Sequence, residues 1–268
     1  MKTHTIIRYL AALLLGAVHH ASAAVVPDPA PGDLFLGFRV SGGQGAGESY
    51  LVNLGQYSVL AGITPGETLL LSGLGNIGAD LSDKFGSDWI TRDDLYWGVF
   101  GRSGAVVTTV FASRERISLT EQSTPWPSLG APARDNTGAN ISAVWEGIGG
   151  IRSRESTTNS AVATFQPSST EASSYNKQVA TPGTTDFGTL SQWSSIEGSF
   201  DNGTAGTALD LYRIGSTGVT YAGYFTIDDS AALSFTAVPE PSTYVLIGFG
   251  IVSFLAWRLA GRRRQSTP

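Results

Sequence analysis

Carboxylates are the catalytic groups this sequence has to offer. Its three histidines, His4, His19 and His20, all fall in the first twenty residues, and it contains no cysteine. The body of the chain therefore has no Ser-His-Asp or Cys-His nucleophile, no histidine base and none of the usual zinc, copper or haem ligand sets. Catalytic residues, metal ligands and cofactors are accordingly expected to be none. Two acids do suffice for glycoside hydrolysis when they face each other across a cleft, and Glu48, Glu67, Glu146 and Glu197 fall in or beside predicted elements. Spacing alone brings no two of them together, and a solvated carboxylate is the default. Trp89, Tyr96, Trp97, Trp126, Trp145 and Trp193 would stack on sugars if exposed, although aromatics in alternating strands more often build a core. Asp201-Asn202-Gly203-Thr204 and Asp228-Asp229 offer oxygen ligands for calcium, yet DNG and DD are ordinary turn sequences without the ligand ladder of a calcium loop.

One glycine motif needs weighing. GLGNIG, Gly73 to Gly78, has the spacing of a dinucleotide fingerprint, follows the strand candidate ETLLLS, and has Asp93 and Asp94 about twenty residues on. In the fingerprint the acid closes the second parallel strand, whereas here Asp93 and Asp94 precede a strand. The chain also lacks the alternation of strands and helices that a parallel sheet requires. The glycines are read as a turn that ends one strand and opens a helix.

The elements that must position these residues are mainly strands. DLFLGFRV (33–40), ESYLVNL (48–54), ETLLLS (67–72), DLYWGVFG (94–101) and AVVTTVFAS (105–113) alternate or are rich in β-branched and aromatic residues. TALDLYRIG (207–215), GVTYAGYFTID (218–228) and AALSFTAV (231–238) follow one another across short turns. Between these two sets, ANISAVWEGIGGIRSR (139–154) has apolar residues at helical spacing, STEASSYNKQV (169–179) suits a surface helix, and TPWPSLGAPARDN (124–136) reads as a proline-rich loop. The expected fold class is β-dominated (α+β): an antiparallel β-sandwich or barrel-like ectodomain with short helical insertions, plus one C-terminal transmembrane helix.

Both ends of the chain lie outside that domain. Lys2 and Arg8 precede an apolar stretch from Tyr9 to Val18, and Ala21-Ser22-Ala23 supplies small residues, so residues 1–23 read as a signal peptide cut between Ala23 and Ala24 by signal peptidase. At the other end, Tyr244 to Trp257 is uncharged and mostly apolar, roughly 21 Å of helix and short for a hydrocarbon core of about 30 Å. Thr243 in front and Arg258 to Gly261 behind lengthen it to a span over about 243–260, because Arg258 can snorkel to the headgroups. Tyr244 and Trp257 suit the two interfaces, and Arg262, Arg263 and Arg264 in the basic tail over 261–268 place that end in the cytoplasm. What remains is an ectodomain over 24–237, with eleven basic and twenty-one acidic residues between Ala24 and Val238. That acidic balance argues against nucleic acid or anionic lipid as partners. Without disulfides, the exported domain rests on its core alone.

Pro239-Glu240-Pro241, then one hydrophobic helix, then an arginine cluster resembles the PEP-CTERM sorting domain of exported bacterial proteins. The resemblance covers residues 238–268. It implies that Pro239, Glu240 and Pro241 are a recognition motif read by an exosortase, that the helix retains the chain, and that Arg262 to Arg264 are the stop. Carriers of this tail are usually bacteria that make exopolysaccharide, which names a further possible partner. The prolines support the reading physically, since they fix their own φ and push Val238 and Glu240 toward extended backbone, the form a processing enzyme grips. GDLFLGFRV followed by YLVNLGQ is also similar to openings of uncharacterised ectodomains with the same tail. The expectation is a non-enzymatic surface or matrix protein, single-pass with its ectodomain outside, then processed and released to the cell surface or matrix. The alternative is an exported carbohydrate-active enzyme or lectin using paired carboxylates and exposed aromatics.

Overall fold

The computed structural model describes residues 28–104, 108–151, 157–166, 171, 173–179, 186–190, 195–200 and 208–238. The strands are β1 (Asp33–Val40), β2 (Ser49–Gln56), β3 (Thr68–Leu70), β4 (Leu95–Ser103), β5 (Thr109–Glu115), β6 (Ala163–Gln166), β7 (Glu197–Ser199), β8 (Leu209–Gly215), β9 (Gly218–Ile227) and β10 (Leu233–Ala237). The helices are α1 (Tyr57–Ala61), α2 (Ile77–Phe85), α3 (Ala131–Ile151) and α4 (Tyr175–Val179), with a short 3-10 turn at Trp89–Thr91. All ten strands join one antiparallel sheet in the order β3-β10-β9-β8-β5-β4-β1-β2-β6, with β7 paired to β4 off this path.

The sheet curls into a half-barrel. Helix α1 touches both β2 and β10, which five other strands separate in the sheet order. A flat sheet would hold those two strands more than 25 Å apart at the ordinary strand spacing of about 4.8 Å. Two bulges contribute. Register slips between Leu34 and Phe35 opposite Gly55, and between Leu211 and Tyr212 opposite Gly223. Both glycines have positive φ, 80° and 144°. Extra residues at such points bend the strand and increase its twist. Of the sandwich and the barrel-like sheet expected, the protein has the latter. The predicted transmembrane helix lies outside the described residues, and no described helix is long and apolar enough to cross a membrane.

Alternation along β1 explains how one sheet carries two cores. Leu34, Leu36, Phe38 and Val40 join Leu209, Leu211, Phe225, Phe235, Leu81 and Phe85 in one cluster. Phe35, one residue out of step, joins Phe100, Tyr212, Ile141, Trp145 and Tyr175 in the other. Every residue of β1 is buried as a result. Helix α2 covers the first face and α3 the second. Helix α3 begins at Ala131, inside the stretch expected to be a proline-rich loop. Pro132 lies in its first turn, where a missing N–H costs nothing because those donors have no intrahelical partner.

Candidate functional site

Of the four candidate glutamates, three sit at the surface or its margin. Glu48 pairs with Lys84. Glu67 is exposed in the turn before β3, and its carbonyl accepts the Ala237 N–H at 3.1 Å. Glu146 is exposed on α3. Glu197 is different: it opens β7, and its side chain is 2 % exposed.

Glu197 owes its position to a fork in the sheet. Strand β4 pairs with β5 from Ser103 to Phe100, then with β7 from Gly98 to Tyr96. At the branch, Ser113 Oγ accepts the Val99 N–H at 2.7 Å and donates to the Ile196 carbonyl at 2.6 Å, so the hydroxyl bridges the ladder where β5 departs. The Glu197 carboxylate receives Arg39 Nη2 at 2.5 Å, Arg39 Nε at 2.9 Å and the Tyr175 hydroxyl at 2.9 Å. Arg39 lies over the Tyr96 ring, 4.7 Å from its centroid.

Tyr175 reaches this pair through a slot made of two glycines. Gly37 and Gly98 are register partners on β1 and β4. A Cβ on Gly37 would stand 2.6 Å from Tyr175 Cζ, and one on Gly98 would stand 2.9 Å from its hydroxyl. The ring stacks on Phe100 at 5.2 Å and is bounded by Phe187 at 6.5 Å. Beside it, Asp186 accepts the Ile196 N–H and the Ser195 hydroxyl, both at 3.1 Å.

Burial dominates the electrostatics of this cluster. It pushes the Glu197 carboxyl up to about 7, against the pull of the Arg39 guanidinium. It raises Asp186 to about 6, against its hydrogen bonds from Ile196 and Ser195. Burial likewise drives the Tyr175 hydroxyl well above its ordinary value. Displaced carboxyls often mark reactive sites. Here they are enclosed by sheet and aromatic rings, in the manner of an internal clamp that holds β7 in the fork.

The candidate aromatics are mostly core. Trp97 is fully buried, and Trp89 and Trp126 nearly so. Trp89 packs on Phe200 at 5.4 Å, and Trp126 lies beneath the Arg114 guanidinium at 4.8 Å. Trp145 is 8 % exposed and lines an open groove of about 440 Å³ with Asp28, Pro31, Arg102, Ser142 and Glu146. Arg102 is fixed there by Nη1 on Ser142 Oγ at 2.7 Å. Among the described residues, Trp145 Nε1 and Arg102 Nε are buried without a hydrogen-bond partner.

The turn candidates have local work. Asp228 caps the β9–β10 turn, accepting from the Ser230 N–H, the Ser230 hydroxyl and the Ala232 N–H. Those bonds hold its carboxyl below the usual range. The described residues contain no group of three or more side chains placed to hold a metal ion. GLGNIG runs from the turn after β3 into the first residues of α2, as the turn reading expects: Asn76 caps α2 by accepting the Ala79 N–H at 2.9 Å. Gly75 has φ +83°, and a Cβ there would meet Ser160 at 2.5 Å. Ala23, Ala24, Trp193, Asp201 to Thr204, Pro239, Glu240, Pro241 and Arg262 to Arg264 lie outside the described residues.

Arg39, Tyr175 and Asp186 are absent from the sequence-based candidates. The available signal was weak: a charged residue in phase with Phe35, on the face of DLFLGFRV opposite its alternating apolar residues, with glycines in the middle of two strands.

The C-terminal edge of the domain is its remaining functional feature. Strand β10 runs between β3 and β9, and its last residue, Ala237, is 5 % exposed. The Ala237 carbonyl accepts the Gly66 N–H at 2.8 Å and its N–H donates to Glu67 O. Val238 donates to the Ala222 carbonyl at 3.5 Å and packs against the α3-side core. The candidate sorting triplet begins at the next residue.

Comparison with known proteins addresses this edge directly. The family model for the PEP-CTERM protein-sorting motif matches residues 237–264. The chain thus carries the sorting motif of exosortase substrates, which supports an exported protein directed to the cell envelope. No curated protein and no solved structure matches the chain.

Proposed function

We propose that this chain is an exported, non-enzymatic surface or matrix protein. Signal peptidase removes residues 1–23, a span near 243–260 holds the chain with its ectodomain outside, and an exosortase processes the segment after β10. The ectodomain then serves a structural or binding role at the cell surface or within secreted polysaccharide. The observation that carries this reading is the PEP-CTERM motif over 237–264, which begins where the sheet ends. Intact-mass measurement of envelope and medium fractions tests it. Cells with an exosortase yield a shortened chain starting at Ala24, and cells lacking the enzyme retain the full tail. A tail that persists through Pro268 when the enzyme is present refutes the reading.

A second reading is favoured by the groove at Trp145. An indole edge, proline walls, Arg102, Asp28 and Glu146 are the side-chain types that hold a sugar ring and its hydroxyls. On this reading the ectodomain is a lectin or carbohydrate-active enzyme. Calorimetric titration with oligosaccharides from the secreted polysaccharide checks it: binding that Trp145→Ala abolishes supports it, and no heat of binding refutes it.

A further inference from the structure

The groove at Trp145 carries a charge pattern that narrows what it would hold. Two carboxylates line it from separate segments, Asp28 ahead of β1 and Glu146 on α3, against one guanidinium, Arg102. Arg102 is tethered by Nη1 on Ser142 Oγ at 2.7 Å and by Nη2 on the Gly104 carbonyl at 2.5 Å. Among the described residues, neither Arg102 nor Glu146 forms an ion pair. The groove is thus acidic on balance, and it belongs to a domain with twenty-one acidic residues and eleven basic ones. Such a field draws cations and repels anions, an effect that salt weakens.

Three classes of sugar fare differently in these surroundings. A uronate would bring a further carboxylate beside Asp28 and Glu146, and like charges brought together disfavour binding. A neutral sugar offers those carboxylates hydroxyl groups alone. An amino sugar offers an ammonium, whose charge-assisted hydrogen bonds to carboxylates are about twice as strong as neutral ones. The remaining needs are those of any sugar ring. Its C–H groups require an apolar wall, which Pro31 and the Trp145 indole edge supply. Its hydroxyl oxygens require donors. A guanidinium has five N–H groups, more than Ser142 and Gly104 take up from Arg102, and Trp145 Nε1 is buried with no acceptor among the described residues.

Resting on the sugar reading of this groove, we infer that its ligand is an amino sugar with a free ammonium, a hexosamine unit whose nitrogen carries no acyl group. The ammonium is held by Asp28 and Glu146, the ring lies against Pro31 and Trp145, and hydroxyl oxygens accept from Arg102. The groove is open, so the unit can belong to the interior of a chain as well as to its end. An exposed ion pair contributes up to about fivefold in affinity, so two give a preference on the order of tenfold.

Calorimetric titration of the full-length chain in detergent micelles, in mildly acidic buffer, tests this with hexamers of glucosamine, N-acetylglucosamine, glucose and galacturonate. The glucosamine hexamer should bind about tenfold more tightly than the glucose or N-acetylated hexamer, and the galacturonate hexamer most weakly. Glu146 is exposed on α3, so Glu146→Gln should fold normally and bring the glucosamine and glucose hexamers to within about threefold of each other. Equal affinity for those two hexamers in the unaltered chain, or tightest binding of galacturonate, overturns the amino-sugar assignment and leaves the sugar reading standing. A preference that survives Glu146→Gln also overturns it, because attraction to an acidic domain then accounts for the binding. So does a lysine hexamer that binds as tightly as the glucosamine one, since charge without a sugar ring then suffices. No heat of binding with any of the four sugars refutes the sugar reading and this inference with it.

Discussion

Gly37→Ala tests whether the glycine slot in the sheet is what lets Tyr175 reach Glu197. The new Cβ would lie 2.6, 2.7 and 2.9 Å from three Tyr175 ring atoms, roughly 1 Å inside ordinary contact. The ring has nowhere to retreat: it is fully buried, stacked on Phe100 at 5.2 Å, and its hydroxyl is held 2.9 Å from Glu197 Oε1. Overpacking of this kind costs about 1–3 kcal/mol, and this site belongs at the upper end. Replacing a strand glycine by alanine returns about 0.5–1 kcal/mol from the unfolded chain. The net expectation is a loss of about 2 kcal/mol.

Urea unfolding followed by tryptophan fluorescence measures it, since Trp97 and Trp126 are buried. At about 2–3 kcal/mol/M for a domain of this size, the midpoint should fall by roughly 1 M. The diagnostic comparison is the same substitution in a Tyr175→Ala background, itself about 3–5 kcal/mol less stable. There the clash is gone, and Gly37→Ala should be neutral or stabilising by up to about 1 kcal/mol. A coupling of about 2–3 kcal/mol follows. A cost below about 1 kcal/mol, or the same cost in both backgrounds, refutes the slot.

Stability should fall as pH rises from about 4 to about 7, because Glu197 and Asp186 have folded values of about 7 and about 6, above those of the unfolded chain. Their contribution is fully present below the unfolded carboxyl values and lost through the folded ones, on the order of 2–4 kcal/mol between pH 5 and pH 8 by urea unfolding; Glu197→Gln should flatten that slope, and an unchanged slope refutes the assignment. Asp210→Asn leaves Arg116 buried without its carboxylate and weakens the bonds from Tyr221 and Ser123, so a loss of about 3–5 kcal/mol is expected, read as a melting temperature at least about 6 °C lower. Asp228→Ala removes three acceptor contacts from an exposed turn and should cost only about 1 kcal/mol in the same assay. Alanine at both Pro239 and Pro241 removes the bias toward extended backbone and should leave full-length chain in the membrane fraction, visible by intact mass; unaltered processing would count against the triplet as the gripped segment.

Most strands were legible because their side-chain period is local. DLFLGFRV coincides with β1 residue for residue, and the three C-terminal strands match to within about two residues. Strand β7 carries no such signal, being three residues long and placed by Ser113 and Ile196 at a branch of the sheet. The choice between sandwich and curled sheet was equally hidden. It depends on two bulges and on α1 closing β2 against β10.

The glutamates show the same division. Nothing in the spacing of Glu48, Glu67, Glu146 and Glu197 separates the last from the others, yet it is the one deprived of solvent. Its neighbours, Arg39, Tyr175 and Asp186, come from β1, α4 and the stretch before β7, over a hundred positions apart at the extreme.

By itself the sequence determined the alternating strands, the histidine- and cysteine-free chemistry of the domain, and the sorting motif after β10. These are local properties: a period of two, a composition, and a short peptide whose recognition requires only covalent order. The tertiary structure alone decided that one sheet has two cores, that Gly37 and Gly98 make room for Tyr175, and that Glu197 is enclosed while Glu146 faces a groove. Those outcomes depend on which residues are excluded from water, and that is set by strands and helices distant in the chain.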